Sequence, residues 1–195
     1  GGDIKGVIDK LDSLQELGVE VVYFNPLFVS PSNHKYDIQD YDYIDPHLGV
    51  LEEDGGELLQ DGVGDNAEAT KYQIRTTSYK NLEASNALFI RLVEELHKRG
   101  MKIILDGVFN HCGSFNKWMD RERIYENQPG YETGAFISEK SPYREYFRFF
   151  KDAPENKYPF EMIVSISGYF IVGMDASSDI THYQANAVAI LYPYI

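Results

Sequence analysis

Two short apolar runs, each fed by an amphipathic stretch and a glycine, restrict this chain more than any other feature. Residues 19–24 read Val-Glu-Val-Val-Tyr-Phe and residues 102–105 read Lys-Ile-Ile-Leu. Ahead of the first, the spacing of Val7, Leu11, Leu14 and Gly18, widened by Ile8 and Leu17, predicts a helix over 3–18 with Asp3 as its cap. Ahead of the second, Leu88 or Phe89, Leu92, Val93 and Leu96 predict a helix over 85–99 capped by Ser85. His97, Lys98 and Arg99 place positive charge in its last turn, where the helix dipole favours it. Gly18 and Gly100 suit the left-handed residue that ends a helix. Nearly continuous apolar runs in this setting read as parallel strands buried on both faces. Asn25-Pro26 stops the first, because proline cannot continue a central strand. The order helix, strand, long loop, helix, strand is that of a parallel α/β architecture.

The intervening residues 25–80 are polar and aromatic, and 52–68 carry acidic side chains with no basic one. Glycines at 55, 56, 62 and 64 disfavour regular structure there, so 51–70 is expected to be an acidic surface insertion. Calcium at Asp61, Asp65 and Glu68 is the alternative, but their spacing matches no EF-hand loop. Ser141 and Pro142, with Arg144, Phe147 and Arg148 at helical spacing, predict a short helix over 141–150.

At 195 residues the chain suits one ordinary domain. Its net charge of −13 argues against nucleic acid and against anionic membrane as partners. Cys112 alone allows no internal disulfide, which tilts the expected compartment toward the cytoplasm, with secretion as the alternative. No apolar run reaches the roughly 20 residues of a membrane span. The opening Gly1-Gly2-Asp3 reads as a cut inside a longer protein.

In a parallel α/β protein, ligands meet the carboxyl ends of the strands. Two polar segments fall there: NPLFVSPSNHKYDIQDYDYIDPHLG at 25–49 and DGVFNH at 106–111. Carboxylates that accept sugar hydroxyls, an imidazole that donates and tyrosine rings that cover a pyranose face would converge. Cys112 beside His111 suggests a thiol nucleophile, but neighbours on a strand point apart, which disfavours that pairing. His34 and Lys35 face either substrate or solvent.

These two segments resemble the second- and third-strand motifs of the α-amylase superfamily of glycoside hydrolases. GVIDKLDSLQELGVEVVYFNPLF is similar to the helix and strand that precede them, and SPSNHKYD resembles the neopullulanase and cyclomaltodextrinase-like branch. The likeness covers residues 3–150. It implies part of a (β/α)8 TIM barrel, strands two and three with flanking helices and long loops. It also implies retaining hydrolysis of α-glucosidic bonds in maltooligosaccharides, cyclomaltodextrins or pullulan, by two carboxylates about 5 Å apart. By the same resemblance, Tyr36 would stack on the sugar, Asp37 would fix its loop and His111 would bind a sugar hydroxyl. Asp106 would brace the site by pairing with an arginine. Asn110 matches a calcium-ligand position of many members, so calcium is a candidate, while no cofactor is required.

The departures are equally specific. No GxRxD motif with the family's nucleophile is present, nor the strands that bring the general acid and a further His-Asp pair. Residues 1–159 are therefore expected to be an incomplete catalytic barrel, and 160–195 a divergent tail, out of the ancestral reading frame or wrongly spliced. The expected function is that of an α-glucan hydrolase fragment inactive by itself. The alternative is a glucan-binding or interaction module without catalysis, or an inactive remnant.

Overall fold

A computed structural model describes residues 2–63, 68–109, 111–149, 160–166, 169–173 and 187–190. Its centre is a parallel pair, β1 (Val21–Phe24) beside β4 (Lys102–Gly107), in the register Val21↔Lys102 to Phe24↔Leu105. The chain passes between them through a two-stranded antiparallel ribbon, β2 (Phe28–Val29) and β3 (Asp40–Ile44), and two helices, α3 (Thr70–Thr77) and α4 (Tyr79–Lys98). The parallel α/β expectation holds for this unit.

The core lies on one face of the β1–β4 pair. Ile4 and Leu11 from the two leading helices join Leu92 and Leu96 of α4, with Ile44, Met101 and Ile103, all buried. Val22, Phe24 and Leu105 pack onto this cluster. On the opposite face Val21 and Tyr23 remain 42% and 50% exposed. The expectation of a strand buried on both faces is thus corrected: β1 is covered on its helix side only, because the described strands close no barrel. β8 (Ala187–Ile190) pairs with β4 antiparallel, where an all-parallel sheet was expected.

Several boundaries also differ from those read in the sequence. The first helix is two, α1 (Ile4–Ile8) and α2 (Leu11–Glu16). Lys10 N–H donates to Val7 O, three residues back instead of four, and this tightened turn breaks the run. Asp3 caps α1 as expected, accepting from Gly6 N at 2.7 Å, and Gly18 and Gly100 have φ of 77° and 72°. α4 begins at Tyr79, so Ser85 is not its cap but a buried residue facing the loop at Gly49. A Cβ at Gly49 would stand 3.0 Å from the Ser85 Cα, so only glycine allows the chain this close.

The acidic stretch lies at the surface without regular structure, as expected, and is also anchored to the helices. Asn81 Oδ1 accepts from the backbone N–H of Glu52 and Glu53, Glu53 pairs with Lys80, and Asp54 pairs with Arg75. Asp65 lies outside the described residues. In place of a helix over 141–150, a single 3-10 turn at Arg144–Tyr146 leads into β5 (Phe147–Phe149). β5 pairs antiparallel with β6 (Phe160–Ile166), and β6 with β7 (Tyr169–Gly173). The strand pairing at Phe147 and Phe149 overrides the weak helical spacing.

Candidate functional site

Four of the five residues singled out in the sequence fall on two neighbouring segments at the carboxyl ends of β1 and β4. Asn110 lies outside the described residues, and with it the calcium reading. Among the described residues no three His, Cys, Asp or Glu side chains group as a metal site.

Asp106, the penultimate residue of β4, is fully buried. Its Oδ2 accepts two phenols: Tyr36 at 2.8 Å and Tyr23 at 2.6 Å. Its Oδ1 has no hydrogen-bond partner among the described residues. A buried carboxylate oxygen without a donor is costly, so this atom is the natural acceptor for a cationic donor. The Asp106 hydrogen bond, with burial and the carboxylate charge behind it, pushes the Tyr36 phenol up to about 12. Tyr36 therefore remains a protonated donor throughout the neutral range.

The loop carrying Tyr36 is held from beneath. Asp37 Oδ1 accepts from Ser30 Oγ at 2.5 Å and also from Ser32 Oγ. Lys35, with φ of 65°, turns inward and donates to Ser30 O at 2.8 Å and to buried Asp45 at 2.6 Å. Burial works to raise the Asp45 carboxyl, but the His47 hydrogen bond and the Lys35 charge outweigh it and hold it below the ordinary range. Of the pair left open in the sequence, Lys35 is thus a loop brace, while exposed His34 accepts from Tyr36 N–H through Nδ1 at 3.2 Å.

The second segment is seated against the first. Gly113 N–H donates to Ile38 O at 3.0 Å, and a Cβ at Gly113 would stand only 2.6 Å from the Asp37 carbonyl oxygen. This close approach brings His111 to the Tyr36–Asp37 loop. Burial lowers the His111 imidazole below its ordinary value, and a backbone hydrogen bond with Tyr36 and the Asp37 charge act the other way. Cys112 is buried and its thiol is pushed up to about 12 by burial, so it carries no thiolate at neutral pH.

Two residues of this arrangement are given no site role by the sequence. Tyr23 was part of an apolar run; the register Tyr23↔Ile104 is what sets it beside Asp106. Tyr41 donates to both Val108 O (2.8 Å) and His111 O (2.6 Å) and stacks on Trp118 at 5.2 Å, so it clamps the turn that presents His111. Only the pairing of β2 with β3 puts its hydroxyl there.

A buried carboxylate bridging two tyrosines, with a histidine seated against the same loop, at the ends of adjacent parallel strands agrees with what the sequence matches. Residues 1–61 and 70–173 match the family described as Alpha amylase, catalytic domain. The chain belongs to this alpha-amylase family. The matched span continues to residue 173, so the likeness reaches into the stretch expected to diverge from 160 onward. Among curated relatives, neopullulanase 2 of Thermoactinomyces vulgaris is 38% identical over 157 residues, covering 80% of this chain and 19% of the relative. Intracellular maltogenic amylase of Bacillus subtilis is 41% identical over 121 residues, 62% of this chain and 15% of the relative. An amylopullulanase of Thermoanaerobacter thermohydrosulfuricus is 35% identical over 158 residues, 78% of this chain and 8% of the relative. The chain therefore spans less than a fifth of the length of these relatives. The alpha-amylase family implies a (β/α)8 barrel, of which β1 and β4 form one parallel pair.

Proposed function

We propose that this chain carries the sugar-holding side of an α-glucan hydrolase active site. The observation that carries this reading is the Tyr36–Asp106 bond, which sets an aromatic ring beside a buried carboxylate at the strand ends. In this reading Tyr36 stacks on a glucose ring and His111 donates to one of its hydroxyls. Asp37 fixes the loop, and Asp106 Oδ1 receives an arginine. The reaction of the whole protein is retaining hydrolysis of α-glucosidic bonds in maltooligosaccharides, cyclomaltodextrins or pullulan. The names of the relatives support this substrate class, and one of them, an intracellular enzyme, supports a cytoplasmic setting.

A second reading concerns the chain by itself. Its sequence contains no GxRxD motif, so the 195 residues bind a glucan without cleaving it. Calorimetric titration with maltotriose, paired with an assay for released glucose, tests both. Binding that weakens about tenfold, about 1.4 kcal/mol, in Y36A and in H111A is expected, with no glucose released. Absence of maltotriose binding, or binding indifferent to both substitutions, would overturn the site. Glucose release by the purified chain would overturn the second reading.

A further inference from the structure

The Tyr23 hydroxyl has no packing reason to exist. Tyr23 lies on the open face of β1, half exposed, where a phenylalanine ring would cover the same surface. Its oxygen nevertheless reaches Asp106 Oδ2 at 2.6 Å, closer than the 2.8 Å of Tyr36 on the same atom. The two phenols arrive from different supports. Tyr23 is fixed by the β1–β4 ladder, in register with Ile104 two residues before Asp106. Tyr36 comes from the 30–39 loop, which has no strand or helix of its own between β2 and β3.

From this geometry we infer that Tyr23 is a positioning residue: its hydroxyl locks the Asp106 carboxylate and, through it, the ring of Tyr36. The inference rests on the glucan reading above for its purpose, and on Asp106 for its mechanism. A carboxylate held through one oxygen by a single loop tyrosine can rotate with that loop. A second donor from a strand removes this freedom, so Tyr36 docks against a fixed acceptor and Oδ1 keeps one orientation for its own donor. Side chains held to within fractions of an ångström are what a ring-stacking subsite needs. Both phenols are raised above the ordinary tyrosine value, with the Asp106 hydrogen bond the largest cause, so both stay protonated and donating at neutral pH. Tyr23 touches no sugar in this account; it acts through Asp106.

A double-mutant cycle on the 195-residue chain tests the inference, with Y23F, D106N and the pair. Two readouts are used: the 13Cζ resonance of Tyr36 at pH 7 in tyrosine-labelled protein, assigned with Y36F, and the Kd for maltotriose. Y23F keeps the ring and the fold. It is expected to shift the Tyr36 resonance and to weaken maltotriose binding about fivefold, the effect of one lost hydrogen bond. In the D106N background, where a neutral amide oxygen holds the phenols more weakly than the carboxylate, the same substitution is expected to have a smaller effect on both readouts. A Tyr36 resonance unmoved by Y23F, or losses equal in both backgrounds, would overturn the positioning role. If D106N does not fold, the 13Cγ signal of Asp106 in Y23F decides instead: a shift supports the lock, and no shift ends it. Wild-type chain that binds no maltotriose would end the glucan reading, while the Tyr36 resonance still judges Tyr23.

Discussion

Asp40 is a buried charge held by a single lysine. It is fully buried on β3, and Lys117, with a side chain only 11% exposed, meets its Oδ1 at 2.7 Å while also holding Asp42. Burial raises the Asp40 carboxyl above its ordinary value, with Lys117 opposing. Removing one partner of such a pair leaves the other charge uncompensated, so K117M is expected to cost about 3–5 kcal/mol, measured by urea unfolding. Two other groups make stability depend on pH with opposite signs. Burial raises Asp120 to about 6, so the folded state holds that proton more tightly than the unfolded chain. Its contribution grows as pH falls from about 6 toward the ordinary aspartate range, and D120N should lack this gain in a Tm-against-pH series. Burial lowers His111, so the unfolded chain takes up its proton first. Stability from His111 is complete above the ordinary histidine range and is lost as pH falls below it. H111Q should flatten that limb and leave the Asp120 limb in place.

Among the elements, those legible in the sequence are the ones whose signal is local. β1, β4, the Asp3 cap and the glycine stops at 18 and 100 each follow from a few adjacent residues. The helix break after Ile8 is a tightened turn between Val7 and Lys10 that the apolar spacing does not mark, while the packing of α4 and the β2–β3 ribbon depend on contacts between distant residues, such as Gly49 against Ser85. The site divides the same way. Tyr36, Asp37, Asp106 and His111 stand in contiguous motifs, whereas Tyr23 and Tyr41 become partners of the site only through strand register. The acidic stretch shows what composition leaves out: Asp54 and Glu53 are matched by Arg75 and Lys80, which lie on α3 and α4. Packing against the β1–β4 pair is carried by α4, whose Leu92 and Leu96 are wholly buried. L92A is expected to destabilise the chain by about 2–5 kcal/mol in chemical denaturation, while I90A on the exposed side of the same helix should stay within about 0.5 kcal/mol.

For the molecule as a whole, the consequential feature is the asymmetry of its central sheet. Helices cover one face of β1 and β4, while Val21 and Tyr23 stand open on the other. β1 is hydrogen-bonded to β4 alone among the described residues, so none of them pairs with its second edge, which lies beside that apolar face. Such an edge is a template for another strand, and the apolar side chains next to it reward the pairing. The net charge of −13 opposes association through long-range repulsion, which salt screens. Self-association should therefore grow with both protein concentration and salt, a pairing that purely electrostatic contacts would not show. Sedimentation velocity across a concentration series at low and high salt measures it. V21K places a charge on the open face without touching the helix-side core, and should return the chain toward monomer while leaving Tm nearly unchanged. A monomer at every concentration and salt level, melting in one sharp transition, would show that the open face is sealed by the chain's own remaining residues.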